Sequence, residues 1–190
     1  MELTDGYLEG RLLIASPGIF DQEFAQTVIY VFKHDATGAA GLVMNQVSTH
    51  INFTELCNQL SIAPTNISLV EHTLCDGGPV EGNRGYVLHS DDFKGRDTQI
   101  FPNTGLALTT TVDIIRKLAS GNGPKQAHIA LGYVGWGAGQ LEIEMQRHGW
   151  LYCHADKEIL FNTPHLKRWQ EAINKIGLNV NQLTDYSGHA

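Results

Sequence analysis

Gly135, Gly137 and Gly139, followed closely by Gln140 and Glu142, make up the segment of this sequence best placed to do chemistry. A buried strand over Ala127 to Tyr133 leads into it and a helix over Gln140 to Arg147 leads out. Backbone N–H groups at such a strand-to-helix junction are free to cradle a phosphate or carboxylate. The spacing, however, is not the dinucleotide G-x-G-x-x-G, and no Lys-Ser/Thr pair of a phosphate-binding loop follows. Glu142 falls in the first helical turn, where its charge complements the helix dipole and opposes an incoming anion. The plainer reading is a tight turn whose glycines allow unusual backbone angles around Trp136, which is then expected near the surface. A second turn, Gly77-Gly78-Pro79 after Asp76, also brings backbone amides toward solvent. There too an ordinary turn is the simpler account.

The titratable groups offer less. His34 and Asn45 end consecutive predicted strands, a polar pairing that either fixes hairpin register or lines a cleft. Glu142 and Glu144, two apart on a helix, point in different directions and do not form a carboxylate dyad. Glu144 and His148 share a helical face and read as a surface ion pair. His89 and His128 interrupt apolar strands and are expected on the solvated face or satisfied locally. The nine histidines show no H-x-H or H-E-x-x-H spacing, so no metal is expected. Cys57, Cys75 and Cys153 form no C-x-x-C and read as reduced, mostly buried thiols. His154 is the one neighbour able to activate a thiol. Ser16 lies in no G-x-S-x-G elbow. With no nucleophile, metal or cofactor constellation recognisable, the reading leans away from an enzyme.

The elements that position these residues follow from periodicity and turn chemistry. Strands are predicted over Arg11 to Ser16, Thr27 to Lys33, Gly41 to Asn45, Thr73 to Asp76, Gly85 to His89, Leu106 to Thr109 and Trp150 to Cys153, with an edge strand near Gln99 to Phe101. A helical turn is expected over Asp21 to Ala25, after the Pro17-Gly18 turn. Helices are predicted over Phe53 to Leu60, capped by Asn52 and Glu55, over Val112 to Ala119, and from Thr163-Pro164 to Gly177. Pro64 to Ser68 is a loop. Hairpin-length links and irregularly placed helices point to a mostly antiparallel α+β fold rather than a β-α-β alternation. The 190 residues suit a single domain, with an ordered core over about 8–178 and a polar C-terminal tail.

Composition narrows the function classes. The net charge is −7, and the 13 basic residues fall singly or in pairs, which disfavours direct nucleic-acid binding. No secretory signal and no run of eighteen apolar residues is read, so a cytoplasmic protein with no membrane association is expected.

Several segments stand out by their order and spacing along the chain. They are Leu12-Leu13-Ile14-Ala15 with Pro17, Phe24 with Val28 to Val31, and His34 with Gly38, Gly41 and Asn45. Gly77-Gly78-Pro79-Val80, Val87-Leu88-His89 and Leu108-Thr109-Thr110 continue the series. The most distinctive run is Leu131-Gly132-Tyr133-x-Gly135-Trp136-x-x-Gly139-Gln140-Leu141-Glu142-x-Glu144, with Trp150-Leu151 after it. In this order the segments resemble the YqgE/AlgH family of bacterial proteins, and the resemblance implies a forked, mostly antiparallel sheet curling toward a pseudo-barrel with flanking helices. It implies no enzymatic activity, cofactor or catalytic residue, and carries a suggestion of transcriptional regulation. With no helix-turn-helix in the chain, such regulation would act through a protein partner.

The expected function is therefore non-catalytic binding of a protein partner or small ligand. Its surface is formed by His34, Asn45, Gly77, Gly78, Gly135, Trp136, Gly137, Gly139, Gln140 and Glu142. The alternative is an enzyme acting on a small anionic metabolite through backbone amides of the two glycine turns.

Overall fold

In the computed structural model, residues 6–17, 19, 21–63 and 72–178 are described. The loop expected over Pro64 to Ser68, the end of the polar tail, and Gly18 of the first turn lie outside them. The chain divides into two compact units, one of residues 1–45 and 134–190, the other of residues 46–133.

In the first unit, β1 (Arg11–Ala15), β2 (Val28–Asp35), β3 (Gly38–Val43) and β9 (Trp150–His154) build an antiparallel sheet in the order β3-β2-β1-β9. The C-terminal residues of β8 (Ala127–Gly137) pair with β3, with Ala39 opposite Trp136 and Gly41 opposite Val134. One face buries Leu13, Ala15, Ile29, Val31, Ala39, Val134, Trp136 and Trp150 beneath Leu141 of α3 (Gln140–Gln146). Their neighbours Leu12 and Ile14 are fully buried as well, because a strand alternates its side chains between faces and both faces are covered. The last helix, α4 (His165–Lys175), packs on β1 and β2. It follows a π-helical turn over Glu158–Asn162 that periodicity does not reveal. The indole of Trp169 donates to the Ala15 carbonyl at 2.8 Å, and buried Arg168 donates to the carbonyls of Thr163 and Met44.

The second unit orders its strands β6-β7-β5-β8-β4, from β4 (Leu74–Asp76), β5 (Val80–Ser90), β6 (Gln99–Phe101), β7 (Leu106–Thr109) and the N-terminal part of β8. Among the described residues, β4 with β8 is the one parallel pairing, and it sets Cys75 opposite Ala130. The class is α+β with mostly antiparallel pairing. Helices α1 (Phe53–Gln59) and α2 (Val112–Ala119) bury Phe53, Cys57, Ile114, Ile115 and Leu118 with Leu74, Val87 and Ile129. The capping box is complete: Asn52 Oδ1 accepts from the Glu55 N–H at 3.0 Å, and Glu55 Oε2 accepts from the Asn52 N–H at 2.9 Å. Such a cap stabilises a helix end by about 1 kcal/mol.

β5 and β8 do not pair evenly. Val80 faces Tyr133, the next partners are Gly85 and Leu131, and residues 81–84 bulge out between them. The excursion is tied by Glu81, whose carboxylate accepts from the Tyr86 hydroxyl at 2.9 Å and from Arg84 at 3.0 Å. Those two bonds, Tyr86 first, hold the Glu81 carboxyl below its ordinary range. Burial, then the Glu81 carboxylate, push the Tyr86 hydroxyl up to about 12.

His89 and His128 both lie in the interior, correcting the solvated-face expectation. His89 is satisfied locally: Nδ1 donates to the Ser90 carbonyl at 2.8 Å, and Nε2 accepts from the Thr109 hydroxyl at 2.9 Å. Burial holds His72 and His89 below the ordinary imidazole range. Burial, then the nearby Arg168 guanidinium, push His165 down to about 4. In the unfolded chain these rings take up protons near 6.5, whereas the folded chain resists until well below that value. Below 6.5 the unfolded state binds more protons. The urea midpoint should therefore be flat above pH 7 and fall between 6.5 and about 4, and His165→Gln should flatten part of that fall. An unchanged midpoint across this window would mean that these rings are equally protonated in both states.

Candidate functional site

Of the polar groups singled out in the sequence, the first unit brings Glu142 to His34. β2 carries a bulge between Val31 and Lys33, so that Val31 faces Gly41 while His34 faces Ala39. In an unbroken strand His34 would share the face of Val28 and Tyr30. The extra residue reverses the alternation and turns it to the face of Val31, Ala39 and Trp136, which α3 covers. There Nδ1 accepts the Leu8 N–H at 3.0 Å, which requires a lone pair at that nitrogen. The ring proton accordingly sits on Nε2, which donates to Glu142 Oε1 at 3.0 Å. The ring is 1% exposed and the edge of Tyr7 packs on it at 5.1 Å. Both nitrogens are spent inside the fold.

The segment taken for a glycine turn is mostly strand. Gly135, Trp136 and Gly137 continue β8 opposite Ala40, Ala39 and Gly38. Only Ala138 and Gly139 make the connection, with Gly139 left-handed at φ 72° before α3. Trp136, expected near the surface, is 6% exposed and packs edge-on to Trp150 at 6.2 Å. A Cβ on Gly38 would overlap the Trp136 carbonyl, so the close β3–β8 approach needs glycine there.

Glu144 holds this arrangement together. Its Oε2 accepts from the Trp136 indole at 2.9 Å and the Trp150 indole at 2.8 Å, and its Oε1 accepts from Gln140 Nε2 at 2.9 Å. Gln140 Oε1 in turn accepts from the Gly137 N–H at 3.0 Å. The expected Glu144–His148 ion pair is not formed among the described residues, because the carboxylate is committed to the two indoles. Glu142 and Glu144 do diverge, one to His34 and one to the tryptophans.

Asn45 does not meet His34. In an antiparallel hairpin the end of the first strand lies beside the start of the second, so residues ending both strands sit at opposite ends of it. Asn45 instead fixes register at its own end, accepting from the Val28 N–H at 2.9 Å and donating to the Gln26 carbonyl at 2.8 Å.

Gly77 and Gly78 belong to the second unit. The Gly77 N–H donates to the Leu131 carbonyl at 2.7 Å, and a Cβ there would overlap the Gly132 carbonyl. Beside this turn opens a cleft of about 460 Å³. Ile51, Leu56 and Leu131 supply its apolar lining, and Asp76, Asn83, Gln59 and His50 its polar groups. None of these four polar side chains has a hydrogen bond or ion pair among the described residues, and Asp76 is only half-exposed. The 81–84 excursion brings Gly82 and Asn83 to the cleft. Asp76 was legible as the residue before Gly77-Gly78. Its companions were not, since they come from three other segments.

Cys57 and Cys153 are not activated. Cys57, Cys75 and Cys153 are buried and unbridged. Burial pushes the Cys153 thiol up to about 11 and raises that of Cys57. His154, the suspected activator, lies against Arg11 instead. No helix among the described residues is long and apolar enough to cross a membrane.

Comparison with known proteins is consistent along nearly the whole chain. A UPF0301 protein of Rhodopseudomonas palustris strain HaA2 is 45% identical over 190 residues, covering 97% of this chain and 87% of the relative. One from Beijerinckia indica is 42% identical, covering 98% and 94%. The solution structure of the AlgH protein from Pseudomonas aeruginosa, 39% identical, superposes with a TM-score of 0.79 over all of both chains. A Corynebacterium diphtheriae protein, 17% identical, shares the fold with a TM-score of 0.70 over 92% of this chain and 90% of its own. The AlgH-like family profile matches residues 12–181, and with relatives this similar in sequence and fold the chain belongs to the AlgH-like family.

Proposed function

We propose that this protein is a non-catalytic binding protein with a regulatory role, which takes a small ligand in the cleft beside Gly77 and Gly78 and acts through a protein partner in the cytoplasm. The observation that carries the reading is the cleft itself: a concave site with an apolar lining, into which Asp76, Asn83, Gln59 and His50 bring side chains that have no hydrogen-bond partner among the described residues. Pockets of a few hundred Å³ with a few convergent polar groups are the usual form of a ligand site.

The enzyme alternative is weakened by what the glycine segments do. The Gly77 and Gly137 N–H groups, which would serve as oxyanion donors, are given to the Leu131 carbonyl and to Gln140. Direct contact with nucleic acid is disfavoured by the net charge of −7. It is disfavoured further because Lys33, Arg84, Arg116 and Lys175 are paired with acids and Arg168 is buried. Three buried, unbridged thiols support a reducing compartment.

The test is to titrate isotope-labelled full-length protein with a metabolite library and follow its backbone amides. Saturable shifts centred on Gly78, Asn83 and Leu131, with every library member recovered unaltered, are expected. Chemical conversion of a member would establish the enzyme alternative. Shifts confined to residues remote from the cleft would move the site elsewhere.

A further inference from the structure

We infer that the cleft of the second unit is selective for a primary alkylammonium group, a ligand class that rests on the binding role proposed above. Asp76 is the one carboxylate among the described lining residues, and no lysine or arginine is among them. Arg84, next in sequence to the lining residue Asn83, is tied to Glu81 at 3.0 Å and lies over the Tyr86 ring at 5.5 Å. Its charge is thus compensated without Asp76.

A half-exposed carboxylate with no donor among the described residues is open to a charge-assisted bond from a bound cation. Anions are repelled by the same group, and a neutral hydroxyl supplies one hydrogen bond without the charge. An ammonium has three donors and no acceptor. One satisfies Asp76 in a charge-assisted bond, and the side-chain carbonyls of Asn83 and Gln59 are acceptors for the others. The aliphatic body of the ligand then lies on Ile51, Leu56 and Leu131. A volume of about 460 Å³ admits a metabolite rather than a folded segment. The net charge of −7 adds long-range attraction for cations.

Matched probes test this at fixed pH and ionic strength: n-butylamine, n-butanol and butyrate, titrated into the labelled full chain with the Gly78, Asn83 and Leu131 amides as the readout. The amine is expected to saturate these amides at a concentration about tenfold below the alcohol, the difference made by one charge-assisted hydrogen bond. Butyrate should leave them unshifted. Asp76→Asn should cost the amine about tenfold and leave the alcohol unchanged. Because Asp76 lies in a strand, the exposed Asn83→Lys provides a second variant, expected to abolish amine binding and to admit butyrate. Nα-acetyl-lysine N-methylamide separates the two sources of this chemistry. Tighter binding than butylamine assigns the cleft to a lysine side chain of a partner, and weaker binding assigns it to a free amine. Alcohol or butyrate binding as well as the amine overturns the ammonium assignment while the binding role stands. Silence of these amides to all probes and to the metabolite library overturns both.

Discussion

Gly132→Ala should destabilise the second unit by about 2 to 4 kcal/mol, read as a lowered urea midpoint and faster amide exchange in β5 and β8. Gly132 sits at φ 71°, in the left-handed region, and a Cβ on it would overlap the Gly78 carbonyl and approach the Val80 carbonyl to 2.8 Å. Both neighbours are backbone, so neither can turn aside as a side chain would. The left-handed conformation alone costs a non-glycine residue about 1 kcal/mol, and overpacking against fixed atoms adds about 1 to 3 more. The site is also where β5 departs from regular pairing to make the 81–84 excursion, so the same substitution should disturb the cleft. Gly85→Ala is the control, since nothing lies within 4 Å of a Cβ there and its φ is ordinary. That change should move stability by less than about 1 kcal/mol in either direction. Equal effects of the two substitutions would mean that close backbone approach at Gly132 is not what holds the β5–β8 irregularity.

Glu144→Ala should cost the first unit about 3 kcal/mol, because it strips the acceptor from two indole N–H groups at once. Trp136 and Trp150 are 6% and 5% exposed, so neither ring can turn its N–H to bulk water without leaving the core. Glu144→Gln separates charge from hydrogen bonding. Its amide oxygen has two lone pairs and can still accept both indoles, while its amide nitrogen faces Gln140 Nε2, another donor. A loss of about 1 kcal/mol is expected for that variant. Tryptophan fluorescence should shift to the red in the alanine variant and hold in the glutamine variant. An alanine variant within 1 kcal/mol of the parent would mean that solvent replaces the carboxylate at no cost, and that α3 is held by Leu141 packing instead.

These residues show why parts of the molecule could be read from sequence and parts could not. The helix over Val112–Ala119 and the strand over Leu106–Thr109 were legible to the residue, and so was the Asn52–Glu55 capping box. Each depends on interactions within a few positions of the chain. Order and spacing of short motifs likewise identified the family, which the profile match and the relatives bear out. The run Gly135-Trp136-Gly137 was misread as a turn because glycine is a turn signal in isolation. Inside a sheet it is also what lets one backbone approach another, and only the pairing with Gly38 decides between these roles. The bulge at Phe32 has no sequence mark in a strand apolar on both faces, yet it determines that His34 faces Glu142.

The sequence by itself determined composition, local elements, the α+β class and the family, all of which follow from short-range propensity, periodicity and motif order. Tertiary structure alone decided where the polar groups are spent. It gave the His34 nitrogens to Leu8 and Glu142, and Glu144 to two indoles. It left Asp76 without a partner among the described residues, in a cleft assembled from residues 48–59, 76–83 and 131. Hydrogen-bond saturation is a property of neighbours in space. The chain brings such neighbours together across 108 positions between His34 and Glu142 and 154 between Ala15 and Trp169, separations that no local pattern reports.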